Sequence, residues 1–295
     1  MSREGSDAMR FSGVWLPVIT PFVDGDIDFA GYGRLVDHYV RAGVAGIIPL
    51  GTTGESPTID EAETDALVEA TVKAVGGRVP IVVGVGANDT RKAVKAVRHL
   101  DAHAIDGYLS VCPYYNRPSQ DGMREHFTRI ALATDRPILI YNIPYRTGVN
   151  LTNDTLLELA RLPNIAGVKD SSGVLAQSLE LLRHRPDGFS VLTGEDAYFY
   201  TLLAHGGDGG ILASAHVGTA DFLTVYERMA ANDHHGARRV WSRLEPVIPL
   251  LFQEPNPMPI KHCLKRRGLI VSAECRLPLT QVSAALAERL DAVAL

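Results

Sequence analysis

The stretch Ile165-Ala-Gly-Val-Lys-Asp-Ser-Ser-Gly173 is apolar or small for four residues, turns charged at Lys169 and breaks on two serines and a glycine. A short apolar run closed by turn formers reads as a buried strand. Seven other runs of this kind lie at 14–20, 46–50, 81–86, 107–111, 138–142, 189–193 and 209–213. Amphipathic segments separate them. Residues 60–72 carry a helical apolar face with acids in the first turn, and 153–160 starts like a capped helix. Strands alternating with helices predict parallel β/α repeats, and eight strands favour a closed (β/α)8 barrel. An open doubly wound sheet is the runner-up, because strand count alone does not show closure. Strand signals stop after Ala213, and 222–229, 236–252, 259–267 and 279–293 read as helices. The expected architecture is α/β, a TIM barrel over residues 10–230 followed by a C-terminal helical domain over 231–295. Helices placed after a barrel are expected to build an interface or cover one end rather than to do chemistry.

Composition narrows the function classes. The 295 residues are 46% hydrophobic and 21% charged with a net charge of -5, and the pI is about 6.1, which gives no electrostatic case for nucleic acid or an anionic membrane. Cys112, Cys263 and Cys275 are odd in number and scattered, without metal-ligand spacing; they suit a reducing cytoplasm and packing roles. The polar start has no apolar signal-peptide core, and no stretch reaches the roughly 18 apolar residues of a membrane helix. A cytoplasmic protein with its first eight residues disordered is expected.

In a barrel of this kind chemistry sits at the carboxyl ends of the strands. Those positions hold Gly51-Thr-Thr-Gly-Glu55, Pro113-Tyr-Tyr-Asn116, Tyr141-Asn-Ile-Pro-Tyr-Arg-Thr-Gly148, Lys169-Asp170 and Gly194-Glu-Asp196. An amine entering a partly dry site loses stabilisation of its ammonium form. Its pKa then falls from about 10.4 toward the range where the free amine attacks carbonyls. Taken alone, Lys169 reads more readily as a side chain snorkelling from a strand end to water. Gly51 and Gly54 allow a tight turn whose N–H groups, with the Thr52 and Thr53 hydroxyls, hold a carboxylate; a plain threonine-capped turn is the other reading. Tyr115 and Tyr141 are phenols able to relay protons through a threonine hydroxyl, or else half-buried tyrosines at a strand end or interface. Arg146 follows Pro144 in a rigid turn, where its fork either clamps a carboxylate or is solvated.

Together, in this order and spacing, the motifs Gly-Thr-Thr-Gly-Glu, Pro-Tyr-Tyr-Asn, Tyr-Asn-Ile-Pro-x-Arg-Thr-Gly and Val-Lys-Asp resemble the dihydrodipicolinate synthase and N-acetylneuraminate lyase family, pyruvate-dependent class I aldolase-like enzymes. The resemblance runs from about Phe11 to Val293. It implies that Lys169 forms a Schiff base with pyruvate and that Thr52 and Thr53 bind the pyruvate carboxylate. It implies that Thr53, Tyr141 and Tyr115 carry protons, Tyr115 reaching into a neighbouring subunit's site, and that Gly194 and Ile211 line the pyruvate pocket. No metal or organic cofactor is implied, since the iminium is itself the electron sink. Arg146, the Thr52-Thr53 pair and the run Glu254-Pro-Asn-Pro-Met-Pro-Ile-Lys261 resemble the synthase branch, which condenses pyruvate with L-aspartate 4-semialdehyde on the way to diaminopimelate and lysine. The other branch would act on 2-keto-3-deoxy sugar acids or 4-hydroxy-2-oxo acids. A homotetramer built as a dimer of dimers is implied.

The chain departs from the family pattern where lysine-inhibited members bind their inhibitor. Thr64 and Lys92 stand where a histidine and a glutamate are usual, while Ser56, Asn88 and Tyr114 match. A cation at Lys92 repels the ammonium of lysine, so weak or absent feedback is expected. Two other classes fit less well. A dinucleotide fingerprint beginning at Gly84-Val-Gly86 fails because Asp89 stands at its third glycine. His234-His235, expected between helices, lacks the spacing of a zinc site. A non-catalytic pyruvate sensor would not need the complete Lys, Thr and Tyr set.

Overall fold

Eight strands join edge to edge into one parallel sheet in this computed structural model, which describes residues 10–293. They are β1 (Gly13–Leu16), β2 (Gly46–Ile47), β3 (Val82–Val85), β4 (Gly107–Val111), β5 (Ile138–Asn142), β6 (Ile165–Asp170), β7 (Ser190–Thr193) and β8 (Gly209–Ile211). The spatial order is β2-β1-β8-β7-β6-β5-β4-β3. Closure comes at the two ends of that order. Ile47 pairs in parallel with Ile81, the Ile47 N–H donates to Pro80 O at 3.1 Å and the Gly84 N–H to Pro49 O at 2.9 Å. The sheet is thus a barrel, and the open doubly wound alternative is set aside. β1 and β2 are shorter than expected because Pro17 and Pro49 have no N–H to give to a ladder.

Alternation along the strands builds two cores. Ile138, Ile140, Val168 and Val191 face outward into the layer between sheet and helices, whereas Leu139, Tyr141, Leu192 and Ile211 fill the barrel with Phe11, Trp15 and Leu109. β6 breaks the alternation once. Ile138 pairs with Ile165 but the next residue, Leu139, pairs with Gly167, so Ala166 is skipped. A one-residue slip exchanges the faces of everything beyond it. Ile165 and Val168 therefore both point outward, and Lys169 points into the barrel, in register with Tyr141 on β5 and Leu192 on β7. Gly167 makes this tight passage: a Cβ there would lie 2.4 Å from Ser190 O and 2.9 Å from Leu139 Cδ2.

The outer layer is α1 (Phe29–Ala42), α2 (Glu61–Val75), α3 (Thr90–Leu100), α4 (Gln120–Ala131), α5 (Asn153–Leu159), α6 (Leu175–His184), α7 (Phe199–Ala204) and α8 (Ala215–Ala230). α2 begins with a capping box between Asp60 and Glu63. The extension is α9 (His234–Leu244), α10 (Ile248–Leu251), α11 (Met258–Arg266) and α12 (Ala284–Asp291). Four sequence expectations need correction here. The helix expected at 222–229 is the second half of α8, whose first turns are hidden in the apolar run after β8. The helix at 236–252 is two, parted before Pro249. The one expected at 279–293 starts only after its Ser283 cap, because Pro278 and the segment around it are non-helical. His234 opens α9 rather than lying between helices. The disorder expected for the first eight residues lies outside the described residues.

Candidate active site

Lys169 is 6% exposed. Burial lowers its ammonium pKa to about 8, with Arg146 adding to the effect and the carboxylates of Asp196 and Glu195 opposing it. Its Nζ sits 4.1 Å from the centre of the Tyr141 ring, a cation–π contact that also fixes where the amine points. Gly194, just past β7, lets the lysine stem pass: a Cβ there would lie 2.6 Å from Lys169 Cε and 2.2 Å from Ser171 Oγ. Ile211 is fully buried in the inner core beneath. Burial pushes the Tyr141 phenol well above its ordinary pKa, while the charge of Arg146 and the hydroxyls of Ser171 and Thr52 draw it back.

Thr52 and Thr53 occupy a 3-10 turn, Thr52–Gly54, in the loop that leads from β2 to α2. Thr53 is buried, and its Oγ1 accepts a 2.9 Å hydrogen bond from Asn256 Nδ2 in the C-terminal extension. Beside it Glu55, in a left-handed backbone conformation, is buried against Lys261 of α11, with 2.5 Å between Oε1 and Nζ. Glu55 Oε2 also accepts from the Arg276 N–H at 3.0 Å. Lys261 donates to Glu274 O at 2.7 Å, and the Lys261 and Arg276 side chains both lie against the Phe22 ring. The extension therefore grips the turn that carries both threonines. The extension thus covers this end of the barrel and reaches Thr53 from the segment before α11. In sequence, Asn256 is marked only by its place in the run 254–261.

Arg146 stands on a one-turn helix, Pro144–Thr147, with its guanidinium 5.6 Å from the Tyr145 ring. It lies between two openings. One is a cavity of about 410 Å³ lined by Thr52, Tyr141, Thr64, Tyr114 and Arg146; the other, of about 810 Å³, is lined by Arg146, Gly194, Glu195, Asp196 and Asn256. Two carboxylates at the second opening have raised pKa values. Burial and the charge of Asp196 bring Glu195 to about 7, and one Glu195 oxygen is buried without a hydrogen-bond partner. Burial brings Asp196 to about 6, although the Ser214 N–H donates to it at 2.6 Å. One strand-end rim thus gathers an amine and two carboxyls displaced toward neutrality, an arrangement suited to proton transfer.

Lys169, Tyr141, Thr52, Thr53, Gly194, Ile211 and Arg146 are thus brought to one end of the barrel. Tyr115 lies at the same end, its N–H donating to Thr147 O at 3.3 Å, but the residue is 87% exposed and has φ 73.

The model of the dihydrodipicolinate synthetase family matches residues 10–294. The chain belongs to this family. Among curated relatives, "4-hydroxy-tetrahydrodipicolinate synthase 2" of Clostridium acetobutylicum is 51% identical over 283 residues, 96% of this chain and 99% of that protein. The 4-hydroxy-tetrahydrodipicolinate synthase of Syntrophus aciditrophicus is 39% identical over 283 residues, 96% of this chain and 97% of the relative. The crystal structure of the family member dihydrodipicolinate synthase from Thermotoga maritima superposes with a TM-score of 0.93 at 36% identity, covering 97% of this chain and 98% of the other. Its likeness extends over barrel and extension together.

Proposed function

We propose that this chain is a 4-hydroxy-tetrahydrodipicolinate synthase, a Schiff-base-forming lyase that condenses pyruvate with L-aspartate 4-semialdehyde. The observation that carries the reading is Lys169, a buried amine of lowered pKa inside the barrel against Tyr141, with an arginine at the mouth. At pH 7 an amine of pKa about 8 is about 9% free, roughly 300 times more than one of pKa 10.5. Lys169 adds to the C2 carbonyl of pyruvate, and the resulting carbinolamine loses water to an iminium; Tyr141 and Thr53 move the protons. Thr52 and Thr53 hold the pyruvate carboxylate against Gly194 and Ile211. Loss of a C3 proton gives the enamine, which forms a carbon–carbon bond to the aldehyde whose carboxylate Arg146 clamps. The semialdehyde's own amine then attacks C2, displaces Lys169 and leaves as the ring. One water is released overall.

The same reading assigns the extension from residue 231 onward to a separate helical domain and the protein to the cytoplasm and lysine synthesis. Among the described residues no helix is long and apolar enough to cross a membrane. Tyr115 gives the reading a homotetramer, a dimer of dimers in which its exposed ring enters the neighbouring subunit's site and completes the proton relay.

The test is a reductase-coupled assay with both substrates, on wild type and Arg146→Ala, beside borohydride trapping of pyruvate. Trapping on Lys169 in both proteins, with turnover collapsing only in Arg146→Ala, is the expected result. Trapping without turnover in wild type would move the enzyme to the sugar-acid or hydroxy-oxo-acid branch. No trapping at all would leave only a pyruvate sensor.

A further inference from the structure

Outside the site, α2 and α3 pack side by side in a fixed register: Lys95 meets Glu61 at 3.4 Å, and one turn further on His99 meets Asp65. His103, four residues beyond His99 and in the turn after α3, lies on the same face. Both imidazoles aim Nε2 at a single oxygen, Asp65 Oδ1, at 2.7 Å from His99 and 3.2 Å from His103. All three donor atoms lie within 4.8 Å of one another. Neighbouring charges are engaged elsewhere, Glu61 with Lys95 and Asp101 with Arg136. Among the described residues the hydrogen-bond partners of the Asp65 carboxylate are these two histidines.

Zinc bonds of about 2.0–2.1 Å place neighbouring ligand atoms of a tetrahedral site about 3.3 Å apart. The two distances to Asp65 Oδ1 are already close to that edge. The side chains of His99 and Asp65 are 40% and 34% exposed, free to close the remaining edge between the two imidazole nitrogens from no more than 4.8 Å. His103, at 15%, supplies the anchored inner ligand. Two imidazole nitrogens and one carboxylate oxygen select borderline ions such as Zn²⁺ over Mg²⁺ or Ca²⁺, which want oxygen alone. A fourth position is left to water on the solvent side.

We propose that Asp65, His99 and His103 form a binding site for a divalent transition-metal ion, best matched by Zn²⁺, that ties α2 to α3 on the outside of the barrel. It is a brace and takes no part in the chemistry at the strand ends. α2 begins three residues after the turns that follow Thr52 and Thr53, so the brace supports the segment leading out of the site.

The test is calorimetric titration of the intact chain with zinc chloride, in a non-chelating buffer, with thermal unfolding measured alongside. The expected result is one Zn²⁺ per chain with a dissociation constant at or below about 10 µM and a higher melting temperature when loaded. H99Q, H103Q and the near-isosteric D65N should each weaken binding at least about tenfold while retaining wild-type circular dichroism and turnover. Wild type that does not bind at 100-fold excess overturns the proposal. So does binding that persists unchanged in the H99Q/H103Q pair, which would place the ion on thiols or at the barrel mouth. D65N keeps the fold testable if the paired histidine variant does not.

Discussion

Replacing Lys169 by methionine should stabilise the protein at neutral pH while abolishing its chemistry. The side chain is 6% exposed and its pKa stands at about 8, against about 10.5 in an unfolded chain. The folded state has the lower pKa, so between pH 8 and 10.5 the unfolded state binds more protons and stability rises with pH. Below pH 8 the whole cost of the buried ammonium is present. By linkage that cost is about 3 kcal/mol at pH 7 and about 1.4 kcal/mol at pH 9.5. Methionine fills a similar volume without a charge, so Lys169→Met should unfold at higher urea concentration than wild type at pH 7. Loss of the lysine charge removes one of the groups that lower the Asp196 pKa, which trims the gain. The difference between the two proteins should shrink by up to about 2 kcal/mol on going from pH 7 to pH 9.5. Denaturant midpoints at both pH values, with equal m-values, make the measurement. A variant no more stable than wild type at pH 7, with a gap that stays flat in pH, would refute the argument that Lys169 is a desolvated amine.

Other consequences are open to direct measurement. Asn256→Ala removes the hydrogen bond to Thr53 and should lower kcat about five- to tenfold with little change in melting temperature; unchanged kcat would show that Thr53 is positioned without it. Lys261→Met leaves Glu55 buried without its 2.5 Å partner and should cost about 3–5 kcal/mol in urea unfolding, part of which the double variant Lys261→Met/Glu55→Leu should recover. L-Lysine should inhibit turnover weakly or not at all, because Thr64 lines the cavity beside Arg146 where the family resemblance implies a histidine, and Lys92 stands where it implies an acid. An inhibition constant in the micromolar to low millimolar range sinks that expectation.

Local chemistry made much of this legible. Gly-Thr-Thr-Gly-Glu, Tyr141, Arg146 and Lys169 each follow an apolar run that folds as a strand, so a rule about strand ends was enough to gather them. What escaped depends on contacts between distant residues. Barrel closure rests on Ile47 meeting Ile81 and on two hydrogen bonds to carbonyls of prolines. Asn256 reaches Thr53 across 203 residues of chain, and Lys261 meets Glu55 from the opposite end of the sequence. Asp65, His99 and His103 come together through the register of two helices, which no spacing within one segment reveals. Proline and serine marked the breaks after α9 and before α12, but a helical apolar pattern continued through both and hid them.

The skipped residue in β6 sets how the chain can be edited. Gly167 admits no side chain, since a Cβ there would lie 2.4 Å from Ser190 O, whereas the skipped Ala166 has no register partner. Deleting Ala166 removes only that unpaired residue, so Gly167, Val168 and Lys169 keep Leu139, Ile140 and Tyr141 as partners and the amine stays inside the barrel. An insertion before Lys169 would leave a second unpaired residue or turn the amine toward the helix layer. Directed-evolution libraries that vary residues 165–168 should therefore add no residue and keep glycine at 167, and a natural chain lacking the skipped residue would still carry the amine in its place.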